Sequence, residues 1–221
     1  MNRFIHTAVI IPAYNEVKHI KKVVRKVKKH TNNIIVIDDG STDGTANELE
    51  SENIIVLKHL VNLGKGAALT TGIEYAKKLG FKKIILMDSD SQHNADEIVK
   101  FVNNLEKHDL VLGFRKLNFK MTDLRFIGNR VDTLLIELLF GKKITDPICG
   151  FRAFNMKIYP QIKWESTGYG VETEIVIRAI LNNIKLMEIP VSSIYLDKYK
   201  GVSIIDAYKI FFDVLKWRIS L

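Results

Sequence analysis

Ile84-Ile85-Leu86-Met87-Asp88-Ser89-Asp90-Ser91-Gln92-His93 begins with four apolar residues and turns polar at Asp88. An apolar run of that length bounded by polar residues reads as a buried strand. Asp88 and Asp90 are two apart, so extended backbone places both carboxylates on one side. With the Gln92 amide behind them they outline a hard-cation site suited to Mg²⁺ or Mn²⁺, ions that in turn hold a diphosphate. A plainer reading stands beside it, because Asp is also a common loop opener and helix cap.

The neighbouring segments repeat the pattern. Ala8-Val9-Ile10-Ile11-Pro12, Ile34-Ile35-Val36-Ile37-Asp38, residues 54–58 and residues 110–113 read as further strands. Between them lie helices. Residues 17–29 carry Ile20, Val23, Val24 and Val27 on one face and seven Lys or Arg on the other, a pattern open to a solvated or a phosphate-facing reading. Further helices are expected up to Leu79 and over residues 95–107. Strands alternating with helices of this length mean βαβ units and a mostly parallel sheet. Ligands of such sheets gather outside the strands' carboxyl ends. Residues 12–16, 38–43 and 88–93 are the polar clusters that fall there. Their convergence favours a functional Asp88/Asp90 pair. The turn Gly64-Lys65-Gly66 brings amides and an ammonium near a possible phosphate, yet it lacks the spacing of a P-loop.

At 221 residues and 47% hydrophobic content the chain suits one large domain, and no linker or repeat divides it. Its net charge of +8 favours anionic partners. Nucleic acid is not expected among them, since no aromatic-basic platform accompanies the charge. A lone cysteine, Cys149, excludes a disulfide framework and a cysteine zinc cluster, and suits a reducing, cytoplasmic compartment. No signal-peptide core or spanning segment is visible.

The second half is less regular. Residues 124–140 read as a mostly apolar helix carrying Arg125, Asn129 and Arg130; residues 146–152 read as a loop. Residues 171–182 form a helix with Glu172 and Glu174, and residues 185–191 an edge strand holding Pro190. Residues 204–221 carry apolar side chains at helical spacing, consistent with either a packed terminal helix or one lying on a bilayer.

Taken together, five segments resemble family-2 glycosyltransferases of the GT-A fold, most of all the dolichol-phosphate mannosyltransferase and polyprenyl-phosphate glycosyltransferase branch. They are residues 9–16 (Val-Ile-Ile-Pro-Ala-Tyr-Asn-Glu), 38–45 (Asp-Asp-Gly-Ser-Thr-Asp-Gly-Thr), 62–66 (Asn-Leu-Gly-Lys-Gly), 88–93 and 146–152 (Asp-Pro-Ile-Cys-Gly-Phe-Arg), in the family's order. The resemblance implies a Rossmann-like α/β sheet flanked by helices, with a nucleotide-sugar half (1–113), an acceptor half (114–203) and a C-terminal amphipathic helix (204–221). It implies donor contacts at Pro12, Tyr14, Glu16, Ile37, Asp39 and Lys65, and a diphosphate and metal at Asp88, Ser89, Asp90 and Gln92. Asp39 would accept the imino N–H that uracil and guanine share. Arg115 matches a family arginine at the reaction centre; Arg125 and Asn129, one helical turn apart, match the acceptor-phosphate region, with Arg152 a further cation. At Lys198-Tyr199-Lys200-Gly201-Val202-Ser203-Ile204 the chain departs from the branch's Arg-x-x-Gly-x-Ser-Lys, placing Lys198 at the arginine and Ile204 at the lysine.

The activity so implied is transfer of a sugar from GDP-mannose or a UDP-hexose to a polyprenyl (dolichyl) phosphate, with inversion at C1. A phosphate acceptor is already anionic at neutral pH and requires cations for placement, not a base. His93 is expected to play a structural role. A peripheral membrane position and a membrane-protein partner follow from the lipid acceptor. Two rival readings are a transferase acting on a saccharide or protein hydroxyl, which needs a carboxylate base, and a non-catalytic nucleotide-sugar-binding subunit.

Overall fold

The computed structural model describes residues 4–115, 123–192 and 204–220. Seven strands, β1 (Thr7–Ala13), β2 (Ile34–Asp38), β3 (Ile55–Lys58), β4 (Lys83–Leu86), β5 (Leu110–Arg115), β6 (Arg152–Asn155) and β7 (Leu186–Val191), form one sheet in the order β3-β2-β1-β4-β6-β5-β7. All neighbours run parallel except β6, which is antiparallel to both β4 and β5. The helices are α1 (Ile20–Lys28), α2 (Lys65–Lys78), α3 (Ile98–Asn104), α4 (Asp123–Phe140), α5 (Tyr159–Ile162), α6 (Val171–Leu181) and α7 (Ile204–Ser220).

Strand alternation sorts the core into two layers. Ile10, Ile35, Ile37, Ile84, Leu86 and Leu112 face one side, where Leu69 and Ile73 of α2, Ile175 of α6, and Val214 and Trp217 of α7 cover them. Val9, Ile11, Val36, Ile85 and Val111 face the other, against Val23 and Val27 of α1 and Phe101 of α3. Every residue of β1 and β2 is buried, as a central parallel strand covered on both faces requires. The chain order reverses between β1 and β4, which opens a crevice at their carboxyl ends.

Three expectations change. Residues 152–155 are not the end of a loop but a strand wedged between β4 and β5. Only Ala153 and Phe154 lie between Arg152 and Asn155, too short an apolar run to announce it. β4 stops at Leu86; Met87 N still donates to Ile10 O (3.1 Å), but Asp88 N turns to His93 Nδ1 (3.4 Å). Residues after Asp43 form a single 3-10 turn, Asn47–Leu49, and Asp43 instead accepts from Val17 N and Thr45 N. Pro190 lies in β7 on the sheet edge, where a missing N–H costs no ladder bond.

Candidate active site

The loop after β1 is stitched to the loop after β2. Asn15 N donates to Ser41 Oγ (2.9 Å), Glu16 N to Thr45 Oγ1 (2.8 Å) and Thr42 N to Asn15 Oδ1 (3.0 Å). Asn15 takes φ +53°, a left-handed conformation that Asn tolerates. Tyr14 is exposed, whereas Glu16 is buried. Asp39 is buried beneath these loops: Oδ1 accepts from His59 Nδ1 (2.7 Å) and Leu63 N (3.0 Å), and Oδ2 from Gly64 N (2.8 Å). Of the roughly four acceptor positions of a carboxylate, three are in use. Asp39 therefore orders the 59–64 loop and has capacity for one more donor. Ile37 is fully buried, its side chain crowding Gly72, so any donor contact there would fall to its backbone.

After β4 the chain makes the turn that carries the two acids. Asp88 N donates to His93 Nδ1, which assigns the ring proton to Nε2, 3.8 Å from Asp88 Oδ2. His93 stacks on Phe151 at 5.0 Å, and burial holds it below the ordinary histidine range against the pull of both carboxylates. That is a structural post for the turn. Ser91 adopts φ +63°, with a buried hydroxyl that has no hydrogen-bond partner. Such strain and an orphaned polar atom mark functional turns.

Asp88 and Asp90 are not equivalent. Burial alone would raise Asp88, but Lys65, with Nζ 2.6 Å from Oδ1, and then His93 outweigh it and hold the carboxyl at about 2. Lys65 Nζ also lies 2.6 Å from Glu172 Oε1 in the first turn of α6. Gly150 passes directly over Asp88; a Cβ there would sit 2.4 Å from Oδ2. Asp90 has no cationic partner among the described residues. One oxygen accepts from Gln92 N (3.0 Å), and burial followed by the charge of Asp88 pushes its pKa up. A half-buried carboxylate with uncompensated charge, next to the Gln92 amide, suits a hard cation. Ions of the Mg²⁺ type need only one or two protein carboxylates when water and substrate phosphates complete the shell. The described residues hold no cluster of three or more His, Cys, Asp or Glu that would cage a metal alone.

Pro12, Lys65, Asp88, Gly150, Arg152 and Glu172 line one recess. The Gly64-Lys65-Gly66 turn is not the phosphate cradle its residues suggest. Gly66 N donates to Thr167 O (2.6 Å), and a Cβ on Gly66 would lie 2.0 Å from Ser166 O. Its glycines admit the 166–168 backbone, and only the Lys65 side chain reaches the acids. Arg152 is likewise misplaced as an acceptor cation. Arg152 is 1% exposed, and its guanidinium donates to Cys149 O, Pro147 O and Glu172 O, joining the 146–152 loop to α6.

Arg115 ends β5 and grips Asp146 side-on, Nε to Oδ2 at 2.7 Å and Nη2 to Oδ1 at 2.9 Å. Its charge is felt at Asp88. Ser89 is buried within the acid turn, and Gln92 is half-buried. Asn129 is buried on α4 with Oδ1 unpartnered. Arg125 stands in the first turn of α4's range with its side chain outside the described residues, as is all of Lys198. Glu172, Asp146 and His59 are site residues that sequence reasoning did not single out. Glu172 reads there as one of two acids in a helix's first turn.

The pattern of glycosyl transferase family 2 matches residues 8–163, from β1 to beyond β6. The chain belongs to this family. A UDP-N-acetylglucosamine–dolichyl-phosphate N-acetylglucosaminyltransferase of Methanococcus voltae is 33% identical over 234 residues, covering 93% of each chain. A polyprenol monophosphomannose synthase of Mycolicibacterium smegmatis is 28% identical, covering 96% of this chain and 87% of its own. Among solved structures, glucosyl-3-phosphoglycerate synthase from Mycobacterium tuberculosis, in complex with Mn²⁺, UDP and glucosyl-3-phosphoglycerate, shares the fold with a TM-score of 0.76 at 18% identity. It covers 97% of this chain and 80% of its own. The family match spans the whole acid turn, β6 and the 146–152 loop. It stops short of α6, so Glu172 lies beyond it.

Proposed function

We propose that this glycosyltransferase moves a hexose from a nucleotide-diphospho-sugar, GDP- or UDP-linked, to the phosphate of a polyprenyl lipid, inverting C1. One observation carries the choice of acceptor. Among the described residues, Asp88 and Glu172 of the recess are committed to Lys65, and Asp146 on its rim to Arg115, which leaves Asp90 apart. Glu174 accepts from Glu165 N, Ser166 N, Ser166 Oγ and Arg178 Nε. A sugar or protein hydroxyl needs a free general base near pH 7. A phosphate monoester, with its second pKa near ~6, needs none. The names of two relatives, acting on dolichyl phosphate and polyprenol, agree with that reading.

In this reading Asp90, with Gln92 and Asp88 behind it, holds Mg²⁺ or Mn²⁺. Such an ion supplies Lewis acidity for the charge growing on the departing diphosphate. Asp39 and the 12–16 loop receive the base and ribose. Arg115, held rigid by Asp146, supplies a fixed positive charge beside the acids, while Arg125, Asn129 and Lys198 remain the acceptor- and donor-phosphate contacts to test. Orientation of a charged nucleophile beside C1 then provides most of the acceleration. The chain acts as one domain at the cytoplasmic face of a membrane. No helix among the described residues is long and apolar enough to cross one. Yet α4 exposes Val131, Leu134 and Leu138 along one stripe, and α7, which packs on α4, exposes Phe212 and Ile219 beside Lys209, Lys216 and Arg218. Exposed apolar stripes edged by cations suit an anionic bilayer surface.

The test is a screen of purified protein with Mn²⁺, UDP-glucose, UDP-N-acetylglucosamine and GDP-mannose, with and without a short polyprenyl phosphate. Lipid-linked sugar from one donor is expected. Transfer to a soluble hydroxyl acceptor with none to the lipid would reject the reading.

A further inference from the structure

Asp39 is held at two points along the same helix. His59 follows β3, and its N–H bonds Asp38 O at 2.9 Å, which sets its ring beside Asp39. Nδ1 lies 2.7 Å from Asp39 Oδ1, and Nε2 lies 3.0 Å from Thr71 Oγ1 in the second turn of α2. A carboxylate only accepts, so Nδ1 carries a proton. Helix α2 comes this close to β2 because Gly72 has no side chain: a Cβ there would sit 2.5 Å from Ile37 Cδ1. The same helix is capped by Gly64, whose N–H holds Asp39 Oδ2 at 2.8 Å. Oδ1 thus takes two donors, His59 and Leu63 N, while Oδ2 takes one among the described residues. The open acceptor position is therefore on Oδ2, and the carboxylate cannot turn it away without breaking bonds to both ring and loop. With its side chain 4% exposed, Asp39 is shielded from water, so a mismatched partner at that position is costly.

We propose that His59, backed by Thr71, sets base selectivity by fixing Asp39 so that Oδ2 meets the imino N–H of a nucleotide base. Uracil and guanine carry that N–H, whereas cytosine and adenine present a bare ring nitrogen at the matching position. Such a nitrogen sets lone pair against lone pair at Asp39. A site built to accept a substrate N–H rejects the analogue lacking it far more sharply than an apolar pocket rejects a change of size. His59 and Thr71 are positioning residues that act through Asp39. The inference deepens the donor reading above and rests on it for placing a base at Asp39.

Equilibrium binding of UDP, CDP, GDP and ADP, each with Mn²⁺, reads the selectivity without turnover. Diphosphate and metal are common to all four, so the UDP/CDP and GDP/ADP affinity ratios isolate the base. In the wild type at least one ratio should reach about a hundredfold. His59→Ala should cut that ratio at least about tenfold, and Thr71→Val should cut it less, in the same direction. His59→Asn, whose amide donates from the place of Nδ1, should restore it to within about threefold of the wild type. A merely structural His59 would lower the melting temperature or all four affinities together and leave the ratios unmoved. A folded His59→Ala with wild-type ratios therefore overturns the inference, as does a wild type that binds UDP like CDP and GDP like ADP. If His59→Ala does not fold, Thr71→Val decides by the same ratio. A wild type that binds none of the four rejects the donor reading, and this inference with it.

Discussion

Arg115 and Asp146 meet in parallel, two guanidinium nitrogens 2.7 and 2.9 Å from the two carboxylate oxygens, and the backbone N–H of Arg115 adds a third bond at 3.1 Å. The pair joins the last residue of β5 to the start of the 146–152 loop, whose far end opens β6. Bidentate geometry fixes the plane of the guanidinium, something lysine could not reproduce.

Breaking that pair should separate charge from placement. Asp146→Ala leaves Arg115 without its main partner and should cost about 3 kcal/mol of stability, the usual penalty for breaking a buried pair. Transfer should fall about 10²-fold, as when one preorganised charge is lost from a reaction centre. Denaturant unfolding and single-turnover transfer measure the two effects. A stable Asp146→Ala with unaltered turnover would remove Arg115 from the site.

The two acids of the turn should respond in opposite ways to the same change. Asp88→Asn strips Lys65 of one of its partners and leaves Gly150 packed on an amide, so it should lower stability by about 1–3 kcal/mol. Asp90→Asn removes a charge that burial and Asp88 already disfavour, so the melting temperature should hold or rise. Transfer should nonetheless vanish in Asp90→Asn, because the negative charge that no described cation pairs with is gone from the proposed metal ligand. Wild-type-like turnover from that variant would refute the metal assignment.

This asymmetry was out of reach of the sequence. Period-two spacing treats Asp88 and Asp90 as a matched pair, whereas the chain leaves β4 at Leu86 and the two side chains meet different surroundings. The βαβ order, the edge position of residues 186–191 and the polar clusters at strand ends were all readable, since each is local and periodic. What escaped depends on contacts between distant segments. Glu172 lies more than a hundred residues from Lys65, and Gly66 is filled by backbone from Ser166 and Thr167. The resemblance makes Arg152 a cation for the acceptor phosphate, but three backbone carbonyls claim it. Gly150 reads as loop punctuation, yet it is the space in which Asp88 sits.

The exposed stripe on α4 offers a test of membrane docking away from the acid turn. Leu134 and Leu138 are 63% and 81% exposed, so replacing both by Asp should leave stability within about 0.5 kcal/mol, the range of ordinary surface changes. Flotation with vesicles containing anionic lipid should show binding by the wild type and loss in the double variant. Mn²⁺ and nucleotide binding should be unchanged. If the double variant floats as well as the wild type, α4 does not face the bilayer.

A pH signature should come from the opposite face of the same helix. Asp132 is buried on α4, and burial alone lifts its carboxyl to about 7. In the unfolded chain it returns to the ordinary value of 3.8. The folded state thus holds the proton more tightly, so the stability associated with neutral Asp132 is complete below pH 3.8 and is lost as pH rises to about 7. Above that pH the loss levels off. Asp132→Asn cannot ionise and escapes the loss, so relative to the wild type it should gain on the order of a few kcal/mol between pH 4 and pH 8. Urea unfolding of both proteins across that range tests this. A stability difference that stays flat with pH would show that Asp132 is solvated in the folded chain.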